Sequence, residues 1–179
     1  MKRIYLIGYM GAGKTTLGQL LAPELGFLFI DLDHAIENRY SRTVGELFSE
    51  KGEAGFREIE RDVLREVSQT ENVVISTGGG APLFYDNMDF MNREGLTVYL
   101  KVSPEELVSR LKTEQEKRPL IRGKSEEELT AFISESLSKR EGVYALSKLT
   151  FLAENLSSEK EIQQMVTNLL NRCKRYGKD

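Results

Sequence analysis

The sequence predicts an α/β protein built on a five-stranded parallel sheet, with helices on both faces and a mobile lid. Three observations predict it. Five short apolar runs (3–7, 27–30, 72–76, 96–102 and 149–153) alternate with stretches in which apolar residues recur at helical spacing. The first run leads into Gly8-Tyr9-Met10-Gly11-Ala12-Gly13-Lys14-Thr15, which satisfies G-x-x-x-x-G-K-[ST] between a strand and a helix. Helix starts are then written into the chain as capping patterns, at Thr43-Val44-Gly45-Glu46 and at Ser125-Glu126-Glu127-Glu128.

The loop after the first strand is a phosphate cradle. Its glycines allow the backbone to curl with N–H groups inward, and the following helix adds the positive end of its dipole. Lys14 is placed to reach the β- and γ-phosphates and the Thr15 hydroxyl to ligate Mg²⁺, so Gly11, Ala12, Gly13, Lys14, Thr15 and Thr16 are the candidate nucleotide-binding residues. The helix that begins here spans about 14–25 and stops at Gly26.

Phe27-Leu28-Phe29-Ile30 is continuously apolar, the pattern of a parallel strand buried on both faces, and it ends in Asp31-Leu32-Asp33. A strand period of two sets Asp31 and Asp33 on the same side, at the sheet edge where ligands collect, which favours a shared metal and substrate over a polar loop with a helix cap. His34, the single histidine, has no catalytic companion nearby and is expected to be exposed. The Thr43 box starts a short helix ending near Gly52, and another begins around Glu53 with Phe56, Ile59, Val63 and Val67 as its buried stripe. Arg57 and Glu60 fall three apart on a neighbouring face, and that spacing alone predicts a solvated ion pair worth about 0.2–0.5 kcal/mol.

The third strand, 72–76, ends in Thr77-Gly78-Gly79-Gly80-Ala81-Pro82, where three glycines signal a close backbone approach at the same sheet edge. A covering helix through Phe84, Met88 and Met91 stops at Gly95, and the fourth strand follows. Ser103-Pro104-Glu105-Glu106 supplies an N-cap, a proline at the first helical position and the reciprocal glutamate. Leu107, Val108 and Leu111 face inward with Arg110 to one side. Residues 112–124 are polar, basic and interrupted by Pro119 and Gly123, which describes a mobile surface segment: either a lid of the kind kinases need to exclude water or an ordinary charged loop. The Ser125 box begins a helix with Leu129, Phe132, Ile133 and Leu137 buried and Arg140 close to its end. A last helix from near Ser158 turns Ile162, Met165, Val166, Leu169, Leu170 and Cys173 inward, and the polar tail from Lys174 is expected to fray.

Length and composition bound the function. At 179 residues, with 40% hydrophobic and 30% charged, the chain reads as a single domain over 1–179. A net charge of -3 excludes a general nucleic-acid surface, which needs many cations to displace counterions. No apolar run reaches the length of a membrane span and no signal pattern opens the chain, so the expected home is the cytoplasm, with no membrane partner. One cysteine, Cys173, leaves neither an internal disulfide nor a cysteine-based zinc cage, and its place on an apolar face marks it as core.

Taken in order, these motifs resemble shikimate kinases, small members of the nucleoside-monophosphate-kinase-like group of P-loop NTPases, along nearly the whole chain. The residues that carry the resemblance are the phosphate loop from Gly8, Asp31-Leu32-Asp33, 52–60, Thr77-Gly78-Gly79-Gly80, Arg118-Pro119-Leu120, and Arg140 with Tyr144. The resemblance implies ATP- and Mg²⁺-dependent phosphorylation of the shikimate 3-hydroxyl by a monomer, with ATP and shikimate as its small-molecule partners. It implies that Arg57 and Arg140 clamp the substrate carboxylate, a task suited to the planar, always-charged guanidinium, and that Glu60 orients Arg57. Gly79 then contacts the substrate through its backbone, flanked by Gly78 and Gly80, and Asp33 meets the reacting hydroxyl as base or positioning acceptor. Asp31 holds Mg²⁺ through water together with Thr15; Arg118 meets the ATP phosphates from the lid, and Arg110 packs on the adenine. The pattern departs from the family most at Ala153-Glu154-Asn155-Leu156, which does not match an adenine-binding loop.

Two alternatives stay open on the residues alone. One is another small-metabolite kinase of this architecture, gluconate-kinase-like, against which Arg57, Arg140 and the triple glycine speak. The other is a non-catalytic nucleotide-binding module of the GTPase-switch kind, for which an Asn-Lys-x-Asp motif is expected and does not occur.

Overall fold

The computed structural model describes residues 2–117 and 119–177. Five strands, β1 (Arg3–Ile7), β2 (Leu28–Asp31), β3 (Val73–Ser76), β4 (Leu96–Lys101) and β5 (Leu149–Leu152), form one sheet in the order β2-β3-β1-β4-β5. Every neighbouring pair is parallel, as the alternation of apolar runs and helices predicts.

The strand period sorts the core into two layers. Ile4, Leu6, Val74, Val98 and Leu100 belong to one apolar cluster, while Tyr5, Ile7, Val73, Ile75 and Tyr99 belong to the other. Helices α1 (Lys14–Leu25), α5 (Pro104–Lys112), α6 (Glu126–Tyr144) and α7 (Glu159–Tyr176) contribute to the first, and α2 (Leu32–Tyr40), α3 (Val44–Val67) and α4 (Asn87–Glu94) to the second. Central β1 is buried on both faces from Ile4 to Ile7. β2 is not: it is an edge strand with Leu28 62% exposed, so its continuous apolar run misstates its place.

Local signals fix the helix ends. Both halves of the capping box are made at Thr43, Ser125 and Ser158. The break expected at Gly52 is a residue with φ 69° and ψ 177° inside α3. Ser103 does cap α5, but the reciprocal half is absent: the Ser103 N–H donates to Glu154 at 2.6 Å, and Glu106 instead accepts from Arg110 at 2.8 Å. The tail expected to fray from Lys174 stays helical through Tyr176. Cys173 is fully buried in α7, and burial pushes its thiol up to about 12, so it is a core residue. Among the described residues no helix is long and apolar enough to cross a membrane.

Candidate active site

The carboxyl ends of β1, β2 and β3 open on a cavity of about 600 Å³. Its floor is the phosphate loop. Gly13, the residue before α1, has φ 89° and offers no side chain to cap the helix, which leaves the first-turn N–H groups to an anion. A Cβ at this position would also lie 2.6 Å from Leu156 Cδ1, so glycine is required twice over. Gly11, Lys14, Thr15 and Thr16 line the cavity, whereas Ala12 is buried behind it. The Lys14 ammonium donates to the carbonyls of Gly8 at 2.9 Å and Tyr9 at 2.8 Å, folded back over its own loop.

Asp31 and Asp33 both line the cavity, but not by the strand period. The strand ends at Asp31 and α2 begins at Leu32, so Asp33 sits in a first helical turn. Asp31 serves two groups. Its Oδ1 caps α2 by accepting from the N–H groups of Asp33 (3.1 Å) and His34 (3.3 Å), and its Oδ2 accepts from the Thr15 hydroxyl at 2.8 Å. Ser76, in register with Asp31, stands 3.5 Å from the same hydroxyl. Thr15, Asp31 and Ser76 form a cluster of hard oxygen donors on the cavity wall. Oxygen donors of this kind suit a hard cation such as Mg²⁺, which keeps water and phosphate in its shell.

The three glycines after β3 each meet a different part of the site. A Cβ on Gly78 would lie 2.9 Å from Glu60 Oε1 and 3.1 Å from Asp33 Oδ1; on Gly79, 3.4 Å from Gly8 O and Met10 N and 3.7 Å from Arg140 Nη1; on Gly80, 2.6 Å from Arg57 Nη2. Two guanidinium groups thus lie against consecutive glycines. Arg57, Arg140, Glu60 and Gly80 stand beside the cavity rather than in its wall. Tyr144 donates to Gly79 O at 2.6 Å and fixes the run from α6.

Arg57 and Glu60 are not a solvated pair. Glu60 is 1% exposed, its Oε2 accepts from Arg57 Nη1 at 2.8 Å, and Arg57 lies over the rings of Phe48, Phe56 and Phe84. Arg57 Nε is buried with no protein acceptor, a donor left for a ligand. Burial pushes the Glu60 carboxyl up to about 7, with Arg57 pulling it back. Burial, then the charge of Asp31, also raises Asp33 above the ordinary carboxylate range, while Lys14 opposes the rise.

A raised folded-state pKa means that Glu60's contribution to stability is full below its ordinary value of 4.5 and is lost as pH rises through about 7. Each unit of separation corresponds to about 1.4 kcal/mol. Melting temperatures at pH 5 and pH 8 should therefore drop more in the parent than in Glu60→Gln, and equal drops would show that Glu60 does not titrate in this window.

At the other end of the cavity Arg110 donates to Glu106, to Gly11 O at 3.2 Å and to Ala153 O at 2.7 Å. The stretch that fits no adenine-loop pattern is therefore structured by this network: Ala153 binds Arg110, Glu154 holds the start of α5, and Leu156 covers Gly13. Ser76, Thr77, Thr113, Glu114, Leu156 and Ile162 also line the cavity, and none is among the candidate site residues, although Thr77 opens the glycine-run motif. Ser76 and Thr77 had a signal, their place between a strand end and a glycine run. Arg118 lies outside the described residues. The expected lid, 112–124, begins within α5 and continues through short turns at Gln115–Lys117 and Pro119–Ile121, with Ile121 fully buried.

Residues 10–173 match the family model described as shikimate kinase. The chain is 54% identical over 170 residues to a shikimate kinase of Parabacteroides distasonis, covering 95% of this chain and 98% of the relative. It is 54% identical over 169 residues to one of Bacteroides thetaiotaomicron, covering 94% and 97%. Among solved structures, shikimate kinase from Bacteroides thetaiotaomicron gives a TM-score of 0.89 at 53% identity, covering 95% of this chain and 96% of that one. Shikimate kinase from Acinetobacter baumannii in complex with shikimate gives 0.81 at 33% identity, covering 96% and 94%. Sequence and fold agree from the phosphate loop to the last helix, and the chain belongs to the shikimate kinase family.

Proposed function

We propose that this chain transfers the γ-phosphoryl group of ATP to the 3-hydroxyl of shikimate, giving shikimate 3-phosphate and ADP on the route to chorismate and the aromatic amino acids. The observation that carries the site assignment is the pair of guanidinium groups against consecutive glycines, beside a cavity with a phosphate loop for its floor and Asp33 in its wall. Phosphoryl transfer needs in-line geometry, charge neutralisation and exclusion of water more than covalent work.

The residues divide that work. The main chain from Gly11 to Thr16 cradles the phosphates, and Lys14 leaves its loop carbonyls for them. Arg57 and Arg140 hold the substrate carboxylate, with Glu60 orienting Arg57 and Gly79 presenting its backbone. Asp33 then accepts the hydroxyl proton or positions it. Thr15 and Asp31 would hold Mg²⁺, which would supply positive charge to offset that of the phosphates. Arg118, from the lid over 112–124, meets the transferring group, and Arg110 borders the base. The working unit is a monomer of one domain, in the cytoplasm.

ADP release measured with Mg²⁺ and ATP, with and without shikimate, tests the reading; gluconate and nucleoside monophosphates serve as controls. Turnover that depends on shikimate supports it, and turnover with another acceptor alone removes the carboxylate clamp. Tight ATP binding with no release would favour a binding module. Arg140→Ala should raise the KM for shikimate about 10- to 100-fold, the loss of one or two charge-assisted hydrogen bonds, and an unchanged KM would take Arg140 out of the clamp.

A further inference from the structure

The phosphate-loop motif makes no demand on its second residue, yet Tyr9 is the largest side chain in the loop and only 1% exposed. Tyr9 does not line the cavity. Arg140, on α6, lies over the Tyr9 ring with its Cζ 5.2 Å from the centroid. The carbonyl of the same residue accepts from Lys14. Tyr9 therefore belongs to the phosphate site through its main chain and to the carboxylate clamp through its ring. Gly79 borders the same groups, because a Cβ there would lie 3.4 Å from Gly8 O and Met10 N and 3.7 Å from Arg140 Nη1.

The hydroxyl is not what the position needs. It is buried and makes no hydrogen bond of good geometry, Ser136 being a polar neighbour, so it adds little stability there. The ring face is the useful part: a partly desolvated guanidinium over a tyrosine is attracted to it and loses rotamer freedom, which constrains its direction together with the hydrogen bond that Arg140 makes to Tyr144.

We infer that Tyr9 is a positioning residue for the reaction, its ring acting as the platform that aims Arg140 at the substrate carboxylate and ties that aim to the phosphate loop. The inference rests on the reading of Arg140 as part of the clamp. Its effect appears in shikimate affinity and not in affinity for ATP.

Calorimetric titration with shikimate, and separately with ATP, tests it on Tyr9→Leu, Tyr9→Phe, Arg140→Ala and the Tyr9→Leu/Arg140→Ala double variant. Tyr9→Leu should weaken shikimate binding by about 3- to 30-fold, the range of a cation–π contact, with ATP binding within about twofold. Tyr9→Phe keeps the ring and should return shikimate affinity to within about twofold of the parent. Adding Tyr9→Leu to Arg140→Ala should cost nothing more, since the two act through one contact. Should leucine prevent folding, Tyr9→Met fills the same space without a π face.

If Arg140→Ala weakens shikimate binding and Tyr9→Leu does not, the platform is overturned and the clamp stands. If neither weakens it, the clamp falls and the platform with it. A Tyr9→Leu loss that adds in full to that of Arg140→Ala, that appears equally for ATP, or that Tyr9→Phe shares, also overturns the platform.

Discussion

Lys14→Ala is expected to lower kcat by about a hundredfold or more, the usual loss when a group that stabilises developing charge is removed from a preorganised site. The side chain is 8% exposed and its ammonium is held by the carbonyls of Gly8 and Tyr9. Alanine removes the charge and leaves the loop's glycine conformations and the α1 terminus in place, so the variant should still fold and still bind nucleotide, more weakly. Steady-state turnover alongside circular dichroism and melting temperature separates the two effects. A folded Lys14→Ala variant with near-parental kcat would remove Lys14 from the chemistry.

Asp33→Asn should lower kcat by about 10²- to 10⁴-fold, the range of a lost general base or of a misplaced acceptor. Stability moves the other way. Burial and the neighbouring Asp31 raise the Asp33 pKa in the fold, so its ionised form costs stability at neutral pH and asparagine removes that cost. A melting temperature at or above the parent's, with turnover largely gone, is the expected pair of results. Parental turnover would exclude both roles for Asp33. Parental stability loss instead of gain would show that the carboxylate is better paired than its burial suggests.

Much of this site was legible because its signals are local. The phosphate loop, the glycine run and the capping boxes at Thr43 and Ser125 are each fixed by a few adjacent residues, and each stands where the spacing placed it. What was not legible depends on neighbours distant in the chain. Phe27-Leu28-Phe29-Ile30 reads as a central strand because an apolar run does not record its place in the sheet, and only the order β2-β3-β1-β4-β5 makes it an edge. Asp31 and Asp33 reach one cavity, but the chain changes period between them, from strand to helix at Leu32. An Arg57 and Glu60 pair at i, i+3 has the same sequence whether it faces water or a wall of glycines and aromatic rings. Glu154 looks like any loop acid until Ser103, 51 positions away, is seen to donate to it.

The contacts of Gly78 and Gly80 bear on how this enzyme could escape an inhibitor. A compound filling the space beside the glycine run is commonly defeated by a mutation that grows a side chain into it. Here the first carbon of any such side chain would stand 2.9 Å from Glu60 at position 78, or 2.6 Å from Arg57 at position 80. Either group must then move. Arg57 is boxed by three rings and Glu60 is buried beneath it, so the movement that relieves the clash also turns away the groups assigned to the substrate. Under the proposed clamp, resistance at these two positions is expected to carry loss of the natural substrate, and selection under such a compound should return changes elsewhere in the chain.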